Sequence, residues 1–100
     1  MNTPNRKELA AAAFPAIPER PKLSRHFRLQ WEPAQDAHVL LYPEGMVKLN
    51  ASAAAILSCC DGSRDVLAIV AELEQRFSAS GLHDDVNSWL VTAADQKWIV

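Results

Sequence analysis

The sequence predicts an α+β fold in which a three-stranded antiparallel sheet is followed by three α-helices. Two features of the apolar pattern lead to this expectation. From residue 27 to residue 49, apolar and polar side chains alternate in short runs, which is typical of half-buried strands. After residue 50 the apolar residues recur every three or four positions, as on a helix with one buried face. The helices are then expected to cover one face of the small sheet.

The first 24 residues are expected to form a flexible tail, so the folded domain should span residues 25–100. Prolines at positions 15, 18 and 21 prevent a long helix in the tail and favour extended chain. A chain of 100 residues is expected to form one domain with a modest core.

Composition and the N-terminal residues indicate a cytoplasmic protein. The apolar run at residues 9–17 is far too short to span a bilayer, and Glu8 breaks the basic stretch before it. The net charge of −2 disfavours nucleic acid and anionic membranes as partners, because both select clustered lysine and arginine. Cys59 and Cys60 are adjacent, so we expect free thiols in a reducing compartment.

Three strands are predicted, with short connections between them. Residues 27–32 form the first strand and residues 38–42 the second. Residues 43–45 make a tight reversal, because proline fixes φ and glycine accepts positive φ, and residues 46–50 form the third strand. The apolar faces hold Phe27, Leu29 and Trp31 in the first strand and Val47 and Leu49 in the third, with Met46 and Lys48 on the opposite face of the third. The short links favour an antiparallel meander.

The three helices are predicted from their capping residues and apolar stripes. Asn50 is expected to cap the first helix, Ser63 the second, and Asp84 or Asp85 the third. Gly62 is expected to end the first helix in the left-handed conformation. The stripes, in chain order, are Ala53, Ile56, Leu57 and Cys60; Val66, Ile69, Val70, Leu73 and Phe77; and Val86, Trp89, Leu90, Ala93 and Trp98.

No catalytic, metal or cofactor site is predicted. His26, His38 and His83 are scattered, and none has a second metal ligand at helical spacing. The adjacent Asp84 and Asp85 do not face each other on a helix, and capping explains them. Three glycines are too few for a phosphate-binding loop. A binding function is therefore favoured over an enzymatic one.

The third strand and the third helix carry the functional hypothesis. In a three-stranded meander the third strand is an edge, and an edge offers unpaired N–H and C=O groups to an added peptide strand. The alternative is an ordinary edge without a partner. Trp89 on the third helix either fills the core or lines a groove beside that strand.

Three segments together resemble the PqqD family of pyrroloquinoline quinone (PQQ) biosynthesis. They read LLYPEGMVKLNASAAAILSCCDG, VLAIVAELEQRF and DDVNSWLVTAADQKWIV. The resemblance runs from about Arg25 to Val100 and depends on the order Pro-Glu turn, Leu-Asn, alanine-rich helix and Asp-Gly. The tail lies outside it.

The resemblance implies a fold like the winged helix-turn-helix and a function without catalysis or cofactor. Proteins of this family are peptide chaperones, the recognition elements of modified-peptide pathways. They bind the ribosomal precursor peptide PqqA and present it to PqqE, a radical S-adenosylmethionine (SAM) enzyme. Carried onto this sequence, the peptide would contact the third strand at Met46, Val47, Lys48 and Leu49 and a groove at Val86, Trp89, Leu90 and Ala93. A proline at Val47 is then expected to abolish peptide binding and leave the helices intact.

Two other functions are weighed against this one. A winged-helix DNA-binding domain would need a basic helix, whereas Glu72 and Glu74 lie on the second helix and Asp84 and Asp85 open the third. A small protein–protein adaptor domain uses the same exposed surfaces without a peptide guest. A monomer and a homodimer joined through strand edges both fit the sequence.

Overall fold

The computed structural model describes residues 17–100 and confirms the α+β fold, with a three-stranded antiparallel sheet followed by three helices. Most of the predicted tail lies outside the described residues. The strands are β1 (Arg28–Glu32), β2 (Ala37–Tyr42) and β3 (Gly45–Lys48), and the helices are α1 (Ala51–Ser58), α2 (Val66–Arg76) and α3 (His83–Asp95). The sheet order is β1-β2-β3, so β2 is central and β3 is an edge.

The inner face of the sheet is set by the register of its strands. Leu40 on β2 has no exposed surface and lies directly between Leu29 of β1 and Val47 of β3. All three pack in the core with the helices. Trp31 shares this face but lies at the end of the sheet, where it is 49% exposed and its ring packs edge-on against His38. The predicted alternation is therefore confirmed, although burial fades toward this end.

The helix stripes form the other half of the core. The predicted positions of α1 are buried, and so are the central residues of the α2 stripe and most of the α3 stripe: Ala53, Ile56, Leu57 and Cys60; Ile69, Val70 and Leu73; and Val86, Leu90 and Ala93. Phe77 departs from the prediction because it lies at the end of α2, where its ring is 54% exposed. Trp98 follows α3 and is half-buried.

Only the first of the three predicted caps is correct. The Asn50 carboxamide oxygen accepts the N–H of Ala53 at 2.8 Å at the start of α1. At α2 the cap is Asp65, whose Oδ1 accepts the N–H of Ala68 at 2.8 Å. Ser63, the predicted cap, instead donates its N–H and its hydroxyl to the Asp61 carboxylate in the preceding turn. The Asp61 side chain thus competes for Ser63 and moves the helix start two residues onward.

The start of α3 is stabilised by a side chain from another helix. Its N-cap residue is Leu82, which offers no side-chain acceptor, so the prediction that Asp84 or Asp85 caps this helix is wrong. The Leu82 N–H donates to Oε2 of Glu74 on α2 at 3.0 Å. Asp84 and Asp85 lie in the first turn of α3, where the helix dipole favours negative charge.

Gly62 has the predicted left-handed conformation, with φ at 84°, but it does not end α1. That helix ends at Ser58 with Cys59 as its C-cap, and Gly62 shapes the turn that follows. The residues that end helices in this conformation are Ser78 after α2 and Lys97 after α3, with φ of 51° and 62°. Each lies in a Schellman motif, in which two successive N–H groups bond back to carbonyls of the last turn.

Residues 21–24 belong to the fold, although the sequence assigns them to the tail. The N–H groups of Lys22 and Ser24 donate to the carbonyls of Val100 and Trp98, and the Val100 N–H returns a bond to Lys22. On the other side, the Leu23 N–H donates to Cys60, and Gly62 donates to the Pro21 carbonyl. We call residues 21–24 the closed segment, because hydrogen bonds are made along both of its sides. The ordered domain thus begins before Arg25.

Candidate functional site: a free strand edge and an apolar groove

The free edge of β3 presents the backbone of alternate residues. The Leu49 N–H donates to the His38 carbonyl at 3.0 Å, so these opposed residues form a hydrogen-bonded pair. In an antiparallel ladder such pairs alternate with pairs that are not hydrogen-bonded. In this register Val47 therefore bonds to β2, whereas the N–H and C=O groups of Met46 and Lys48 point away from it. These two residues carry the groups that an added strand would bond.

The side chains of β3 alternate in the same way. Val47 is half-buried against the core and Leu49 is buried, whereas Met46 and Lys48 are exposed on the outer face of the sheet. The four residues predicted to contact a peptide are therefore of two kinds. Met46 and Lys48 leave backbone groups and side chain exposed, and Val47 and Leu49 hold the strand on the core.

An apolar groove lies among the three helices, and its lining begins at Ala51, three residues after the end of β3. Its volume is about 260 Å³, and it is lined by Ala51, Ser52, Ala55, Ile56, Leu73, Phe77, Ala79, Leu82, Asp85 and Val86. Most of these side chains are aliphatic or aromatic, and Asp85 supplies the one charged group of the lining. A groove of this kind can bury apolar side chains of a peptide, with few polar groups to orient it.

Hydrogen bonds and one left-handed turn connect the helices that line the groove. The bond from the Leu82 N–H to Glu74 fixes the start of α3 against the end of α2. The left-handed Ser78 turns the chain after Phe77, so that the loop runs along the groove. Arg76 of α2 donates to the Ser58 hydroxyl on α1 at 3.3 Å. The same guanidinium group forms an ion pair with Glu72 at 3.1 Å. The charged run of α2 thus ties helices together besides facing solvent.

The structure separates the four groove residues predicted on α3. Val86 lines the groove and is almost fully buried. Leu90 and Ala93 have no exposed surface and belong to the core. Trp89 is half-buried, and its ring lies 6.1 Å from that of Trp98. Val86 and Trp89 are therefore the two of this set that retain exposed or groove-facing atoms.

The edge and the groove are close enough for one short peptide. The groove begins at Ala51, three residues after Lys48. Three residues of chain span at most about 11 Å. The Cα atoms of Lys48 and Ala51 are therefore at most about 11 Å apart, which places one end of the groove near the end of β3.

The two clear pKa shifts among residues 17–100 belong to Asp61 and Cys60. The pKa of the exposed Asp61 carboxyl is lowered, mainly because the Ser63 hydroxyl donates to it, with help from Arg64. Burial raises the pKa of the Cys60 thiol to about 12, and Cys59 and Asp61 add to the rise. Both groups lie at the corner between α1 and α2, away from β3. Within residues 17–100 no histidines, cysteines and carboxylates gather as metal ligands, and no helix could cross a membrane.

Sequence reasoning missed the contribution of α1 to the groove. Ala51, Ser52 and Ala55 line it because small side chains on this face leave room between α1 and α3. The alanine-rich run of residues 51–55 was the available signal, since repeated alanines in a helix often mark a face kept free of bulk.

Comparison with known proteins agrees with this architecture. Residues 37–99 match the family model of Coenzyme PQQ synthesis protein D (PqqD). The PqqA binding protein of Azotobacter vinelandii is 60% identical over 80 residues, which cover 79% of this chain and 87% of that protein. The PqqA binding protein of Pseudomonas aeruginosa is 54% identical over 88 residues, covering 87% and 96%.

A solved structure extends the agreement to three dimensions. It is the solution NMR structure of the PqqD truncation of Methylobacterium extorquens PqqCD, described as a stand-alone recognition element for ribosomally synthesised and modified peptides. The TM-score is 0.71 at 29% identity, with 91% of this chain and 98% of that chain covered. By sequence and by structure, the chain belongs to the PqqD family.

Proposed function

We propose that this protein binds the precursor peptide PqqA by strand addition to β3 and presents it to the radical SAM enzyme PqqE. The observation that carries the proposal is the free edge, where the backbone groups of Met46 and Lys48 point away from β2. The lining of an apolar groove begins three residues further along the chain, at Ala51. Relatives that are 54–60% identical are named PqqA binding proteins, which supports the choice of peptide.

The binding mode divides affinity from selectivity. Main-chain hydrogen bonds to Met46 and Lys48 give affinity with little demand on sequence, and side chains that enter the groove select the peptide. Val86 and Trp89 supply apolar contacts, while Val47, Leu49, Leu90 and Ala93 keep the strand and helix in place. A disordered guest loses chain entropy on ordering, so affinity near the micromolar level, about −8 kcal/mol, is reasonable.

The second half of the function is presentation. Holding PqqA on the same complex as PqqE raises the effective concentration of the peptide at the enzyme. This role needs no catalytic group and no cofactor in the protein itself, and it places the protein in the cytoplasm, where a ribosomal peptide is made. The DNA-binding alternative is disfavoured because exposed Asp84 and Asp85 at the start of α3 would repel phosphates.

Calorimetric titration with PqqA, in the presence and absence of PqqE, tests the proposal. We expect saturable one-to-one binding of the peptide and tighter association of the protein with PqqE when PqqA is bound. A folded protein that gives no heat with PqqA would refute it. Sedimentation with and without peptide checks the oligomer, because a homodimer through the β3 edge would compete with PqqA.

A further inference from the structure

We propose that Lys48 selects a peptide strand with an acidic residue opposite it, next to an apolar residue that faces the helices. This inference rests on the proposed strand addition and adds the chemical pattern of the guest. It follows from the alternation of the β3 side chains between the two faces of the sheet and from the charges around Lys48.

The alternation of residues on β3 determines on which face of the sheet each side chain of an added peptide strand projects. Residues opposed on neighbouring strands point to the same face of a sheet, and successive residues point to opposite faces. Peptide residues opposite Met46 and Lys48 therefore project on the outer face, and the residue between them projects on the inner face beside Val47. The inner position adjoins the core, so it requires an apolar side chain.

The outer positions differ in chemistry. Met46 is 49% exposed and offers an apolar surface to the residue opposite it. Lys48 is exposed, and among residues 17–100 its ammonium group makes no ion pair. Its partner on β2 is Val39, which is buried and uncharged, so the positive charge at this edge is uncompensated by its neighbour in the sheet.

Opposite charges at directly opposed positions stabilise a strand pair, and like charges destabilise it. A glutamate or aspartate opposite Lys48 should therefore tighten binding by about two- to fivefold over a neutral residue, more so at low salt. The selected guest is an extended peptide with the order acidic, apolar, apolar at the positions opposite Lys48, Val47 and Met46.

A charge-swap experiment tests this pattern. Each acidic residue of PqqA is replaced in turn by lysine, and every peptide is titrated against the unmodified protein and against Lys48→Glu. We expect one peptide variant to bind the unmodified protein several-fold more weakly and to regain affinity with Lys48→Glu. Methylation of single peptide nitrogens should weaken binding only at alternate positions on the β3-facing segment.

Arg28→Glu is the matched control, because Arg28 lies on the same outer face but on β1, the opposite edge of the sheet. It should leave all affinities unchanged, and circular dichroism checks that both variants fold. If every lysine-substituted peptide binds the unmodified protein and Lys48→Glu alike, the charge selection is refuted while the strand addition stands. If unmodified PqqA does not bind at all, the proposed function fails, and this inference with it.

Discussion

The closed segment at residues 21–24 and the β3 strand at Gly45–Lys48 use the same backbone alternation in opposite ways. In the closed segment, Lys22 and Ser24 bond to the C-terminal residues, while Pro21 and Leu23 bond to the corner at residues 60–62. In β3, one set of alternate groups bonds to β2, and no described residue pairs with the other set.

The difference shows where an extended segment makes backbone hydrogen bonds within the fold along both of its sides and where one side of a strand is left without partners among the described residues. An extended segment with bonds on both sides behaves as a central strand and stabilises the fold. An edge with one unused side remains open to a further strand. The hydrogen-bond pattern distinguishes the structural segment from the candidate docking strand, and burial agrees with it, since Pro21 and Ser24 are buried whereas Met46 and Lys48 are exposed.

The largest expected effect comes from breaking the closed segment. Leu23→Pro removes the N–H that donates to Cys60, and should lower the free energy of unfolding by about 3 kcal/mol. Leu23→Ala is the matched control, because it removes the side chain and keeps the N–H. Urea unfolding of both variants checks the difference. Equal losses would mean that the side chain, and not the backbone bond, stabilises this segment.

A proline substitution on β3 can test the outward-pointing N–H groups separately from those that bond to β2. Lys48→Pro removes an N–H that points outward, so PqqA affinity should fall at least tenfold, about 1.4 kcal/mol, while stability changes little. Lys48→Ala, which keeps the N–H and loses only the charge, should weaken binding by no more than about two- to fivefold. Titration calorimetry and urea unfolding measure the two effects. Loss of binding in both variants alike would assign the contact to the side chain alone.

The sequence predicts that Val47→Pro abolishes peptide binding and leaves the helices intact, and the register adds a loss of stability to that expectation. The Val47 N–H bonds to β2, so a proline there breaks the sheet itself. Its stability should fall well below that of Lys48→Pro. The difference in stability between Val47→Pro and Lys48→Pro is the sharpest test of which β3 backbone groups bond to β2 and which point to the free edge.

The sequence predicted the elements well and their ends poorly. Alternation in β1 and the helical stripes were sufficient, because burial of one face is encoded by residue type at fixed spacing. Caps failed where a residue distant in sequence supplied the bond, as Glu74 does for Leu82, or where Asp61 took Ser63. Pattern within one element cannot show such contacts.

For the candidate site, the sequence predicts the elements involved, and the structure shows how their residues are placed. The edge position of β3 follows from three consecutive strands. Whether the backbone N–H and C=O groups of Met46 or of Val47 point to the free edge depends on the hydrogen-bonding register, which side-chain alternation alone does not fix. The family resemblance places Leu90 and Ala93 in the groove with Val86, yet both have no exposed surface and lie in the core, which only the packing shows.

A smaller effect should follow from the corner that receives the closed segment. Burial raises the pKa of Cys60 from about 9 in the unfolded chain to about 12, so the folded protein holds this proton more tightly. The resulting stability is complete below pH 9 and is lost as the pH rises toward 12, with about 1 kcal/mol lost by pH 10. Urea unfolding at pH 8 and pH 10 measures it. Cys60→Ser, which does not titrate there, should show a shallower decline, and parallel declines would exclude the thiol as the cause.

The smallest effect concerns the turn that delivers the C-terminal residues to the closed segment. Lys97 adopts φ of 62° immediately before Trp98, whose carbonyl accepts the Ser24 N–H. A left-handed conformation costs a non-glycine residue about 1–2 kcal/mol, and the entropy of glycine in the unfolded chain offsets part of that. Lys97→Gly should therefore stabilise the protein by about 0.5 kcal/mol in thermal or urea unfolding, whereas Lys97→Ala, which retains the strain, should not. PqqA affinity should be the same in both variants, because this turn stabilises the closed segment and leaves the open edge of β3 unchanged.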